Sequence, residues 1–260
     1  MNLQELFENR LSVRSFQKKE IDPKIIDEIF NTATHAPTPG NMQNYSVTIT
    51  KDQDRKNDLS LIYRSEKMIR NAPIVLTFFV DWSRTNHWCE LKMADPGFDN
   101  LWAFQMGAMD TMIYAQSVAL LAEEMGLGTC FYGGTISRAL PLIDFFECPK
   151  RVVPLVTLVM GYPEESEKTK SKRIRLPKKS FIQNEKFAPI TDSELIELYR
   201  EKEELEWPRL STSDEHKDQV EDEGIQTLAE IYTRLKYPKT ATQDFSENYL
   251  EAMKRQRFLT

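Results

Sequence analysis

Two short segments of this 260-residue chain carry guanidinium groups an even number of positions apart, Arg10-Leu11-Ser12-Val13-Arg14 near the start and Arg173-Ile174-Arg175-Leu176-Pro177 much later. Alternate residues of an extended backbone project to one side, so each segment can present two planar forks to the same target. A guanidinium fork gives two parallel hydrogen bonds to a phosphate, where a lysine offers a point charge. Brought together, Arg10, Arg14, Arg173 and Arg175 would make a four-armed anion clamp. Left apart they are four solvated surface arginines, the commoner fate of the residue. The chain has no GxGxxG after a strand and no GxxxxGKS or GxxxxGKT, so a phosphate has to be held by side chains from separate segments. The loops Thr38-Pro39-Gly40-Asn41 and Tyr132-Gly133-Gly134 would add backbone donors, and glycine lets a backbone approach a flat ring because no Cβ intervenes.

Composition narrows the classes of function. With 40% hydrophobic and 28% charged residues, the chain reads as an ordinary globular protein, long enough for one large domain or two small ones without covalent staples. A net charge of -6 disfavours nonspecific attraction to nucleic acid or to an anionic membrane, so any anion site must be local. Cys89, Cys130 and Cys148 show no CxxC spacing and are odd in number, which favours free thiols in a reducing compartment. His35, His87 and His216 are isolated, which argues against a metal centre. The opening MNLQELFENR carries two glutamates and no apolar core, unlike a secretory signal, and the expected location is the cytoplasm.

These residues need elements to position them. Asp22 and Pro23 read as cap and first residue of a helix with Ile25, Ile26, Ile29, Phe30 and Ala33 at helical spacing, which must stop before Pro37. Strands are expected at Tyr45 to Thr50, at Ile74 to Val80 and at Val152 to Met160, where Pro154 implies an edge or a strand start. Leu101 to Met125 predicts a long helix, apolar on nearly every face from Met112 to Ala122 and therefore expected to be buried all round. Its charge-free stretch is shorter than the ~20 residues a bilayer needs. A glycine stop follows at Gly126-Leu127-Gly128, and then a glycine-rich loop from Phe131 to Thr135. After Pro177, Thr191-Asp192-Ser193-Glu194 is a capping box, Ser211 to Glu223 reads as a solvated linker, and two later helices each carry one apolar stripe.

Taken in order, these motifs resemble the nitroreductase and flavin reductase family of FMN enzymes, over about Arg10 to Pro177. The family's Arg-x-Ser-x-Arg/Lys segment, which holds the FMN phosphate and ribityl chain, matches Arg10, Ser12 and Arg14. Its Ala-Pro-Ser/Thr-x-x-Asn-x-Gln loop matches Ala36-Pro37-Thr38-Pro39-Gly40-Asn41-Met42-Gln43. Its long central helix ending in Gly-Leu-Gly-Ser/Thr matches Asp110 to Thr129, and its Gly-Gly step facing flavin N5 implicates Gly133 and Gly134 beside Tyr132. The late basic motif, often Lys-x-Arg, is Arg173-Ile174-Arg175 here, and the frequent Gln-Pro-Trp is Gln43-Asn44-Tyr45. The C-terminal Glu247 to Phe258 is loosely similar to the closing helix of the NADPH-preferring subgroup.

The resemblance implies an α+β, nitroreductase-like fold: a mixed, mainly antiparallel sheet flanked by helices, with a long central helix. It implies an FMN-binding core at 1-190 and a C-terminal helical extension at 191-260 that packs on a partner subunit. It further implies a homodimer that passes a hydride from NAD(P)H to a small planar acceptor, a nitroaromatic, quinone or flavin, in a ping-pong cycle. The protein then supplies placement and not a nucleophile, in keeping with the lack of a convincing Ser/His/Asp or Cys/His arrangement. Cys130 reads as a redox thiol or as a buried small hydrophobe. Trp82, Trp88, Phe98, Trp102 and Phe104 are candidates to roof the flavin, though half or more should be plain core. Two rival readings are a nucleic-acid patch at Lys170, Lys172, Arg173, Arg175, Lys178 and Lys179, and a flavoprotein of the same fold doing reductive dehalogenation, flavin cleavage or noncatalytic flavin binding. The acidic surroundings and the lack of interleaved aromatics weigh against the first.

Overall fold

The run Ile74-Val75-Leu76-Thr77-Phe78-Phe79-Val80 has no polar alternation, the mark of a strand covered on both faces. In the computed structural model it forms β2 (Ile74–Asp81), buried at every position. The structure describes residues 2–64, 66–169 and 172–259, so Lys170 of the basic run lies outside the described residues. β2 lies between β1 (Tyr45–Thr50) and β4 (Val152–Gly161), and β3 (Gly128–Tyr132) flanks β4, giving the order β1-β2-β4-β3. All three pairings are antiparallel, and a parallel bridge from Ser12 to Thr129 lays the N-terminal segment along the outer edge of β3.

Two strands differ from expectation. Gly128–Tyr132 pairs with β4 where a glycine stop and loop were read, because Thr129, Cys130, Phe131 and Tyr132 suit a strand once a partner is present. β4 is interior although it carries Pro154, which cannot donate to a ladder. β3 pairs with it only between Thr157 and Gly161, and the β2 register shifts between Phe78 and Phe79, opposite the proline. The missing N–H therefore falls where one flank is open and the other is bulged.

α1 (Leu3–Asn9) precedes the first arginine segment, and α2 (Pro23–Ala33) is capped by Asp22, whose side chain accepts from the Lys24 N–H at 2.9 Å. α3 (Gln53–Ile62) and α4 (Lys67–Asn71) connect β1 to β2, α5 (Ser83–Leu91) follows β2, and α7 (Ala139–Phe145) and α8 (Glu165–Lys168) flank β4 in sequence. The long helix α6 (Leu101–Glu124) packs Tyr114, Ala115, Val118, Ala119 and Ala122 against Leu76, Phe78, Leu158 and Met160 of the sheet. It is not buried all round: Met109, Met112 and Ile113 are 49%, 40% and 40% exposed, because one small sheet covers only one side of it. Trp82 and Phe104 are core, whereas Trp88 and Trp102 are exposed. Among the described residues, no helix is long and apolar enough to cross a membrane.

By internal contacts the chain divides into one unit of Met1–Lys170 with Phe245–Thr260 and another of Ser171–Asp244. This differs from a 1-190 and 191-260 partition at both ends. Residues 245–260 group with the first unit because Met253 and Phe258 are buried with Val80, Trp82 and Phe104, and Ala252 with Ala139 and Ile143. In the second unit α9 (Asp192–Ser211) opens with the expected capping box at Thr191. α10 (Lys217–Asp222) occupies part of the stretch read as a linker, and α11 (Leu228–Glu230) runs on as a π-turn through Lys236. Leu210, Ile225, Leu228 and Ile231 form a small buried cluster, so these stripes do have a core of their own. α12 (Lys239–Arg255) crosses the division in sequence.

Candidate functional site

The stretch after α1 is held extended by β3. Val13 donates its N–H to Thr129 O at 2.9 Å, and its side chain fills the space that a Cβ on Gly128 would occupy, 2.6 Å away. Val13 is buried while Arg14 is exposed, the alternation that an extended strand requires. Arg10 is anchored: Nε and Nη2 each lie 3.3 Å from the Glu123 carboxylate, which also accepts from the Thr129 hydroxyl at 2.5 Å. Those contacts use part of a five-donor fork. Arg14 Nη1 donates to Ser12 O at 3.3 Å, and among the described residues no ion pair is formed by its guanidinium.

At the other end of β3 the chain turns through a short 3-10 helix, Gly133–Arg138. Its opening amides, those of Gly133 and Gly134, have no acceptor within the turn, as at any helix start. Gly133 is exposed, and nothing lies within 4 Å of where its Cβ would be. At Gly134 that place is taken by the Tyr132 ring, 2.4 Å away, so a side chain here would displace the tyrosine. Beneath the turn runs a chain of buried hydroxyls. Thr135 donates to Tyr132 O at 3.1 Å or to the Thr157 hydroxyl at 3.0 Å, and Tyr63 lies 2.7 Å from the same Thr157 oxygen. Burial pushes the Tyr63 hydroxyl up to about 12, so it stays protonated and can bond throughout the physiological range.

Two cations near this turn were not singled out from sequence. Burial, and then the like charge of Arg64, hold Arg138 below its ordinary value, and both guanidiniums act on Tyr132. Arg64 sits at φ 58, a conformation without a composition signal for arginine.

Pro37, Thr38, Gly40 and Asn41 lie in the loop before β1. Gly40, Asn41 and Gln43 all have positive φ, of 58, 54 and 53, an uncommon density of left-handed residues. The loop is pinned from below. Arg84 Nη2 donates to Gln43 O at 2.9 Å and Tyr45 O at 2.8 Å, the Asn44 N–H donates to buried Asp110 at 3.2 Å, and Thr85 donates to the Asn44 side chain at 2.7 Å. These supporting residues are spread over β1, α5 and α6, so no local motif marks them. The loop leads into β1 at one edge of the sheet and the arginine segment lies outside β3 at the other, four strand gaps or about 19 Å from β1 at the usual spacing. One copy of the chain does not bring them together.

Arg173 and Arg175 belong to the second unit. Arg173 Nη1 lies 3.4 Å from Glu206, which also pairs with Arg209, and Arg175 is exposed. Burial works to raise the Glu206 carboxyl, but the two arginines outweigh it and hold it low. Cys130 is 2% exposed and burial raises its thiol, as for a small hydrophobe. Among the described residues no group of His, Cys, Asp and Glu is arranged to hold a metal ion.

The glycine turn thus lies at one end of an edge strand, and the arginine-serine-arginine stretch runs along the other end. The chain belongs to the nitroreductase family, whose model matches residues 7–162. A crystal structure described as that of an oxidoreductase from Bacteroides fragilis NCTC 9343 is 34% identical, covers 98% of this chain and 100% of that one, and superposes with a TM-score of 0.88. The NfrA2 structure from B. megaterium is 25% identical with a TM-score of 0.80, covering 100% and 99% of the two chains. The FMN reductase (NAD(P)H) of Bacillus subtilis strain 168 is 27% identical over 236 residues, 87% of this chain and 89% of that protein.

Proposed function

We propose that this chain is an FMN-dependent oxidoreductase that uses NAD(P)H to reduce a small planar acceptor such as a nitroaromatic, a quinone or a flavin. The observation that carries the reading is the Tyr132-Gly133-Gly134 turn: a short helix start without a side-chain cap, whose opening amides have no acceptor within the turn, beside open space at Gly133, the cradle a flat ring needs, on a chain of this family. The residues present fit the group. Arg14 has a fork free of carboxylates, and Arg10 has donors beyond those given to Glu123.

When bound, FMN supplies the hydride relay between reduced nicotinamide and acceptor. Arg10, Ser12 and Arg14 hold its phosphate and ribityl chain; Arg173 and Arg175 stay candidates on their sequence motif alone. The amides of Gly133 and Gly134 donate to the ring, and the buried hydroxyls of Thr135, Thr157 and Tyr63 keep those amides aimed. Pro37, Thr38, Gly40 and Asn41 complete the site from a second copy of the chain. Two features support that homodimer: the loop and the arginine segment adjoin opposite sheet edges, and α6 leaves Met109, Met112 and Ile113 open.

The visible absorbance of purified protein and the stoichiometry of reconstitution test the reading. One FMN per chain is expected, with turnover of NADH or NADPH when a quinone or nitroaromatic is supplied. Failure to bind FMN or FAD at micromolar protein overturns it.

A further inference from the structure

A cleft of about 700 Å³ opens between the extended segment 14–21, the start of α3 and the end of α4. Six cations line it, Arg14, Lys18, Lys19, Lys51, Lys56 and Arg70, against two carboxylates, Glu20 and Glu164. In a chain of net charge -6 this is a strong local reversal of sign.

The wall of the cleft is fixed by the backbone. The Gln17 N–H donates to Tyr162 O at 2.9 Å and its side-chain amide to Pro163 O at 2.8 Å, while the Glu164 N–H donates to Ser15 O at 3.2 Å. Lys19 is held over the Tyr162 ring at 4.0 Å. Lys56 is buried, with Nζ donating to Ala72 O at 2.8 Å, so two of its three N–H groups remain for another acceptor. Burial lowers the Lys56 pKa, with Asp52 acting against it, and an anion in the cleft would favour its charged form. Among the described residues, Lys18, Lys51 and Arg70 form no ion pair.

Cations that outnumber the lining carboxylates six to two repel one another, and a bound anion converts that repulsion into charge-assisted hydrogen bonds. The volume matches sites for nucleotide-sized molecules, and cations from three segments suit more than one anionic group. We propose that the cleft binds a small molecule bearing two or more phosphate-type charges. Arg14 belongs both to the cleft and to the segment assigned to FMN. The phosphates of the nicotinamide co-substrate are therefore one source of the ligand, and a free polyphosphate anion is the other. Only the first source rests on the flavin reading.

The probe is inorganic pyrophosphate, titrated calorimetrically into the full chain at low salt, beside a Lys18→Gln, Lys51→Gln, Arg70→Gln triple variant. These three side chains are exposed, and thermal melting with FMN titration checks that the variant is folded and loaded. Pyrophosphate should bind the parent chain, and lose at least about tenfold in affinity in the triple variant, with FMN affinity equal in both. If the co-substrate is the source, pyrophosphate competes with NADPH, and the variant raises the KM for NADPH more than that for NADH at unchanged kcat. If a free anion is the source, pyrophosphate binding still falls while nicotinamide kinetics stay put. No binding at millimolar pyrophosphate, or equal binding by the triple variant, overturns the proposal. A chain that binds pyrophosphate here but no FMN leaves the cleft standing and removes the flavin reading.

Discussion

Arg10 and Arg14 share a motif but not a situation, and they should respond differently to mutation. Arg14 is exposed and its bond among the described residues is to Ser12 O, so Arg14→Ala should leave thermal stability unchanged. It should weaken FMN by about one to two decades, the loss of a charge-assisted bond of roughly 1.5–3 kcal/mol, with riboflavin hurt far less. Arg10→Ala would in addition leave Glu123 without its guanidinium, and should lower stability as well as FMN affinity. Parallel flavin titrations and melts separate the two; equal melting losses would show that Arg14 serves the fold. Asp110 offers a second test. Burial raises its carboxyl against the bond from Asn44, and its Oδ1 has no partner among the described residues. A raised carboxyl contributes stability below its unfolded value, and loses that contribution as pH climbs through the folded value. Asp110→Asn, which keeps an acceptor for Asn44, should therefore gain on the parent at neutral pH and by less near pH 4, read from melts across that range. A constant difference with pH would mean that Asp110 is ionised at no cost.

At the scale of elements, the legible parts were those whose cause is local. The Asp22-Pro23 start of α2, the Thr191 capping box and the unbroken apolar run of β2 are each decided by a few neighbouring residues. β3 was hidden because its pairing partner lies more than twenty residues ahead, and Pro154 misled because its tolerance depends on where β3 stops. The arginine segment and the glycine turn were readable as motifs. Arg64, Arg84 and Asp110 were not, since each acts through a backbone conformation or a distant backbone carbonyl or N–H. The end of the chain shows the same dependence: Phe258 is fully buried with Val80, Trp82 and Phe104, which no periodicity announces. Phe258→Ala should cost about 3–5 kcal/mol, and deleting residues 243–260 should lower stability and flavin retention together. Chemical denaturation measures the first; a melting midpoint untouched by the deletion would show that this segment is an appendage.

For the whole molecule, the open side of α6 sets the expectation. Leu101, Trp102, Met109, Met112 and Ile113 put exposed apolar surface together on one helix. Light scattering on FMN-loaded protein should give twice the chain mass, and Met112→Glu should shift it toward the monomer while releasing FMN. A fully active monomer at assay concentration would remove the two-copy site and leave FMN binding to one chain.

The first unit is discontinuous, and this has a consequence for how the protein is made. The last three turns or so of α12 and Phe258 are translated only after all of Ser171–Asp244. At ~5–20 residues per second, the interval from Lys170 to Phe245 lasts roughly 4–15 s. Throughout it Val80, Trp82 and Phe104 have emerged without the ring that closes over them. The nascent chain must wait with an unfinished core, which makes this interval, and not the mature enzyme, the stage at which trigger-type chaperones should be needed most.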